Sequence, residues 1–260
     1  MAPGERAGSA GSAVTTLGRI DLHVTPHEAE RAPLEKRQLV VVDVLRSCST
    51  IATALRNGAA KVIPVETVEE AMRLAQTMDA KQRLLCGERD GVKVNGFDLG
   101  NSPRECDKGR VEGKTLLFAS TNASPVMAGL LVGREQRLLS FVNVSAVAEA
   151  VRQEGVDLTI VCAGRNGRLS LEDTACAGAL VRRLVKRGAG AGATVLNDAA
   201  EMAVAYDRVH GGDPEAILRR SDHGRYLIEL GFEDDLPICA AVDSVPVVPF
   251  LRDGRIMNGR

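Results

Sequence analysis

The chain has 260 residues with 33 basic and 34 acidic side chains, a net charge of -1, so neither nucleic acid nor an anionic membrane has an electrostatic reason to be its partner. It has no tryptophan, two tyrosines and five phenylalanines, too few aromatics for a base-stacking surface, and no stretch approaches the roughly 20 apolar residues of a membrane span. A small anionic ligand remains open, and the length suits one large α/β domain or two small ones.

The opening MAPGERAGSAGSA lacks the apolar core of a signal peptide. Residues 1–17 are expected to form a disordered tail ahead of one α/β domain over 18–260, in one or two lobes. Six widely spaced cysteines, Cys48, Cys86, Cys106, Cys162, Cys176 and Cys239, form no C-x-x-C pair and fall in apolar segments, as reduced thiols of a cytoplasmic protein do.

In chain order, GRIDLHVT (18–25) alternates like a strand, and a charged linker leads into the apolar LVVVDVL (39–45). STIATALRNG reads as a helix capped near Ser49 and stopped at Gly58. KVIPV is the next strand, and TVEEAMRLAQTM starts with Thr67 and Glu70 at capping-box spacing. Strands RLLCGE, TLLFAS, RLLSFV and DLTIVCAG follow, with helices after Asn122, Val144 and Glu172. The alternation predicts a three-layer α/β/α fold on a largely parallel or mixed sheet.

Each apolar run empties into a polar loop: DVLRSCST, CGERDG, ASTNAS, VNVS and AGRNGRLSLED. Ligands of open α/β sheets bind beyond the carboxyl ends of the strands, where helix N-termini aim free N–H groups at anions. One shared site is therefore expected. Asp43, ending an apolar strand, needs a partner such as Arg46 or a divalent cation. Arg46 offers a bidentate fork to an anion, with Ser47, Ser49 and Thr50 adding hydroxyl and backbone donors. The glycine-rich CGERDGVKVNGFDLGNSP carries Glu88 and Asp98 as potential metal ligands and Arg89 and Lys93 as potential anion ligands. Arg165, Asn166 and Arg168 precede the adjacent acids Glu172 and Asp173. Glu172 fits a helix-dipole role, whereas Asp173 beside a basic loop is the better candidate for magnesium or acid–base work. His223, in SDHGRYL, reads equally as a capping residue and as an acid or base.

The segments VVVDVLRSCSTIATALRNGA, CGERDGVKVNGFDLGNSP, STNAS, CAGRNGRLSLEDTACAG and SDHGRYLIELGFEDDLPICAAVD resemble, in order, the motif blocks of the 2-phosphosulfolactate phosphatase family. The resemblance spans about Gly18 to the C-terminus. It implies a magnesium-dependent phosphomonoesterase that converts 2-phospho-3-sulfolactate to sulfolactate and phosphate, a step toward coenzyme M, on an α/β three-layer fold.

On that reading Asp43 and Asp173 are catalytic, Asp43, Glu88 and Asp173 carry Mg2+, and Arg46, Ser47, Ser49, Thr50, Arg89, Thr121, Asn122, Arg165 and Arg168 bind a small anionic phosphoester. Two positions depart from the expected pattern: Ala123 replaces a glycine in Thr121–Ser124, and Cys48 replaces a threonine. Relatives also occur in bacteria not expected to make coenzyme M. A homodimer is compatible with the aliphatic composition.

Other chemistries fit less well. Leu45 stands where an aspartyl-phosphate enzyme needs its second aspartate, and Cys162, six positions before Arg168, is expected inside a strand where a thiol is inert. No G-x-G-x-x-G follows the first strand, and GAGAGA at 188–193 follows a helix. A non-catalytic binder of small phosphorylated or sulfonated acids is the alternative.

Overall fold

The computed structural model describes residues 17–185 and 193–259. The tail expected over 1–17 and the GAGAGA run at 188–193 thus fall almost wholly outside the described residues.

The strands are β1 (Arg19–His23), β2 (Gln38–Val42), β3 (Lys61–Pro64), β4 (Arg83–Arg89), β5 (Val92–Lys93), β6 (Thr115–Ala119), β7 (Gln136–Leu139), β8 (Leu158–Cys162), β9 (Val195–Leu196), β10 (Val248–Arg252) and β11 (Arg255–Gly259). They form one mixed sheet in the order β5-β4-β6-β3-β11-β10-β7-β2-β8-β1-β9. The α-helices are α1 (Pro26–Ala29), α2 (Ser47–Arg56), α3 (Val68–Ala75), α4 (Lys108–Val111), α5 (Val144–Glu154), α6 (Leu171–Leu184), α7 (Asp198–His210), α8 (Pro214–Arg220), α9 (Asp222–Glu229) and α10 (Asp235–Ala240). The result is the expected α/β/α sandwich, and among the described residues no helix is long and apolar enough to cross a membrane.

Burial explains the layers. All five residues of β2 are buried, and because successive side chains of a strand point to opposite faces, each face can carry its own core. Val40 and Val42 pack with Val147 and Val151 of α5 and Leu180 of α6. Leu39 and Val41 pack with Ile51 and Leu55 of α2 and with Phe118 of β6. A strand buried on both faces reads as a continuous apolar run, which is how this one reads in the sequence.

Two parallel blocks, β4-β6-β3 and β7-β2-β8-β1-β9, are joined by the antiparallel hairpin β10-β11. Asp253 and Gly254 both have positive φ at the hairpin turn, as a two-residue turn that matches strand twist requires. Helix starts follow local chemistry. Thr67 accepts the Glu70 N–H ahead of α3, while Glu70 reaches the N–H of Glu66. Ser170 accepts the Asp173 N–H and starts α6 at Leu171, which puts Glu172 and Asp173 inside the first turn.

Candidate active site

The carboxyl ends of β2, β4, β6 and β8 deliver Asp43, Glu88, Thr121, Asn122, Arg165 and Asn166 to one cavity of about 280 Å³, which Arg46, Ser47, Asn101, His223 and Tyr226 also line. Four of the five polar loops therefore converge. The fifth, VNVS, is structural: Asn143 accepts the Ser140 N–H and donates to the Leu138 and Val247 carbonyls.

Asp43 accepts the Ser47 N–H through Oδ1 at 3.0 Å at the start of α2. Burial pushes its carboxyl up to about 6, opposed by His223 and the Ser47 hydrogen bonds and reinforced by the Glu88 charge. Glu88 is held from three sides, by the N–H groups of Thr121 and Gly91, each at 2.7 Å, and by the Thr121 hydroxyl at 3.0 Å. Gly87 permits this placement, since at its φ of 153° a Cβ would lie 2.0 Å from the Ala119 carbonyl oxygen.

Arg165 is a half-buried arginine of the cavity. It stacks on the Tyr226 ring at 4.4 Å and reaches the Asp222 carbonyl at 3.3 Å. Asn122 accepts the Asn166 N–H at 3.0 Å, which fixes the β8 loop against the β6 loop. A second cavity of about 570 Å³ shares Arg165, Asn166 and His223 and adds Arg168, Arg220, Ser221 and Glu172.

Several sequence-predicted site residues are placed elsewhere. The Arg46 guanidinium, 3% exposed, donates to Asp235 at 2.8 Å and to the Gly91 carbonyl at 2.6 Å and stacks on Phe232 at 4.2 Å. Its fork is thus engaged by the protein, although its surface borders the cavity. Ser49 donates to the Val44 carbonyl and meets Ser140, and Thr50 donates to the Asn101 carbonyl. Both hydroxyls lie beneath the wall. Arg89 turns to the Glu88 and Glu66 carbonyls, and Arg168 belongs to the second cavity.

Asp173 accepts the Val44 and Gly164 N–H groups, one on each oxygen, and so clamps the ends of β2 and β8 together. Burial, followed by the charges of Asp43 and Glu172, pushes its carboxyl well up. It does not line the cavity.

Among the described residues no three His, Cys, Asp or Glu side chains converge as a metal cage, so Asp43, Glu88 and Asp173 do not form one. The cavity wall nevertheless fits a magnesium ion, which takes one or two carboxylates and completes its shell with water and substrate phosphate. Asp43 and Glu88 face the same space, and Asn101 Oδ1 is a buried oxygen in that wall with no hydrogen-bond partner.

The two departures from the motif pattern leave the cavity untouched. Ala123 is fully buried in the core with Phe118 and Met127, and Cys48 packs in the same cluster, its thiol pushed well up by burial. All six cysteines are free and buried, and burial pushes Cys162 well up, leaving no thiolate nucleophile there.

Sequence reasoning gave Asn101 no role in the site, left Glu172 as a dipole partner and His223 undecided, and missed Asp235 and Tyr226. Asp235 carried one general signal: a buried arginine needs a carboxylate partner, and EDDLP offers three acids in a row, of which Glu233 and Asp234 pair with Arg219 and Arg104 at the surface.

Comparison with known proteins places the sequence in a family. The model of the 2-phosphosulpholactate phosphatase family matches residues 23–254. A probable 2-phosphosulfolactate phosphatase of Thermotoga petrophila is 43% identical over 225 residues, 86% of this chain and 92% of that protein. Proteins given the same name from Carboxydothermus hydrogenoformans and Caldanaerobacter subterraneus are 38% and 37% identical, over 93% and 87% of this chain and 95% and 92% of their own lengths. With the match running through every strand-end loop that builds the cavity, the chain belongs to the 2-phosphosulpholactate phosphatase family.

Proposed function

We propose that the chain is a magnesium-dependent phosphomonoesterase acting on 2-phospho-3-sulfolactate or a related small 2-phospho acid. The observation that carries this is the pairing of Asp43 and Glu88 with Arg165 in one cavity, next to a second cavity that adds Arg168 and Arg220. A phosphomonoester dianion needs positive charge around its oxygens, and a sulfonated ester needs more of it a few ångströms away. The shared Arg165 lies where the two anions of such a substrate would be divided.

Magnesium, when bound, supplies charge neutralisation for the phosphoryl oxygens. Asp43 and Glu88 would hold it, with Asn101 Oδ1 as a third oxygen. Ser47 borders the cavity at the N-terminus of α2, where the helix dipole favours an anion. Thr121 orients Glu88, and Asn122 holds the loop that carries Arg165. Asp173 shapes the site from below by joining the ends of β2 and β8.

The test is phosphate release from 2-phosphosulfolactate, 2-phospholactate and an aryl phosphate, with magnesium and with chelator. Magnesium-dependent release favouring the sulfonated ester is expected. Tight binding of the ester without release would replace this reading by a non-catalytic binder, and preference for 2-phospholactate would remove the sulfonate from it.

A further inference from the structure

His223 lies on the seam between the two cavities and lines both. In a phosphoester spread across them, the bridging oxygen between the phosphoryl group and the carbon skeleton falls at that seam. His223 Nδ1 is 3.4 Å from Glu172 Oε1. Glu172 is 1% exposed, and its Oε2 is buried with no partner. A glutamate serving only the dipole of α6 would do so equally well in water, whereas burying a carboxylate with one oxygen unsatisfied carries a cost. What the buried position supplies is an anion against an imidazole ring.

The backbone that carries the ring is also fixed. Ser221 caps α9 by accepting the Gly224 N–H at 2.9 Å. The α8–α9 junction is so close that a Cβ on Gly224 would fall 1.8 Å from the Leu218 carbonyl oxygen. A carboxylate on Nδ1 sets which nitrogen carries the proton and supports the imidazolium, leaving Nε2 to do the chemistry. Burial by itself would raise the Glu172 carboxyl, but the close His223 imidazole together with neighbouring hydrogen-bond donors holds the group below its ordinary range, so Glu172 is available as that anion.

We propose that His223 is the general acid of the reaction, donating its Nε2 proton to the leaving-group oxygen, with Glu172 as its positioning residue. The proposal rests on the phosphatase reading and deepens it. Water oxygen bonds to phosphorus as the ester P–O bond breaks. The electron pair of that bond takes the Nε2 proton and the product leaves as an alcohol. The proton shed by the attacking water passes to the phosphate or to solvent, and His223 regains its proton from solvent. Secondary alkoxides are poor leaving groups, so this proton matters for a 2-phospho acid, whereas a nitrophenolate departs without it.

The experiment compares His223→Gln with the wild type on 2-phosphosulfolactate and on 4-nitrophenyl phosphate. General acid catalysis is typically worth about 10²- to 10⁴-fold, so kcat on the alkyl ester should fall by that much, and kcat on the aryl ester by less than about tenfold. Glu172→Gln should show the same asymmetry at smaller size. Unchanged thermal unfolding midpoints establish that both variants are folded. Equal losses on the two esters, or no loss, in a folded variant of an active enzyme overturn the assignment while leaving the phosphatase reading intact. A wild type inactive on every ester overturns the phosphatase reading, and this assignment with it.

Discussion

Arg46 and Asp235, 189 positions apart, form an ion pair at 2.8 Å with side chains 2% and 1% exposed. Ser102 donates to the other Asp235 oxygen at 2.6 Å, and Arg46 also holds the Gly91 carbonyl. Three segments, the start of α2, the glycine-rich loop and α10, are thereby joined behind the cavity.

Breaking this pair from one side leaves a buried charge unpaired, which typically costs about 3–5 kcal/mol. Asp235→Ala is expected to destabilise the fold by that order in urea unfolding. Arg46→Lys should also destabilise it, because an ammonium cannot reproduce the fork and the stacking on Phe232. An Arg46→Lys protein of wild-type stability with weakened substrate binding would show instead that the guanidinium serves the substrate.

Asp43 makes stability depend on pH with a definite sign. Its carboxyl is raised from 3.8 to about 6 on folding, so between those values the folded protein binds more protons than the unfolded chain, and stability falls as pH rises. Asp43→Asn is expected to abolish turnover while stabilising the metal-free protein above pH 6 by on the order of 3 kcal/mol. The gain should shrink toward pH 4. A gain that is the same at both ends of the range would mean that the charge of Asp43 is not its cause.

Magnesium should offset that same buried charge. In metal-free protein at pH 7.5, adding magnesium to 100 times its dissociation constant should stabilise the fold by about 2.7 kcal/mol through mass action. The rise in melting temperature should be lost in Glu88→Gln and in Asp43→Asn. If millimolar magnesium shifts neither the melting temperature nor activity in the wild type, Asp43 and Glu88 are not its ligands.

Arg165 and Arg89 should separate cleanly. Hydrogen bonds to charged groups contribute roughly 1.5–3 kcal/mol, so Arg165→Ala is expected to lower kcat/KM on a doubly anionic ester by about 10- to 100-fold. Arg89, turned to backbone carbonyls outside the cavity, should tolerate alanine within about threefold. The reverse order in steady-state kinetics would put the substrate on the wrong side of β4.

Ala123→Gly tests whether the departure from the motif pattern affects the substrate. The methyl group lies in the core with Phe118 and Met127, so its loss should cost about 1 kcal/mol of stability and leave KM unchanged. A fall in KM would place the methyl group against the ligand.

The strand-end loops were legible as a set because each follows an apolar run that could be read locally. Asp43, Ser47, Glu88, Thr121, Asn122 and Arg165 all reach the cavity, whereas Ser49, Thr50, Arg89 and Asp173, with the same side-chain chemistry, do not line it. Nothing local distinguishes the two groups. LRDGRI contains a hairpin signal that the chain-order reading passed over, and even that signal does not say that β10 and β11 insert between two parallel blocks.

By itself the sequence determined the α/β class, the double-sided burial of strands such as β2 and the caps of α3, because hydrophobic periodicity and helix capping act over a few residues. Only the tertiary structure decided that Arg46 faces Asp235, that Glu172 meets His223 and that Asp173 clamps two strands. Each of these roles depends on which polar group arrives from a distant segment, and in a dry interior the partner determines what a charge does.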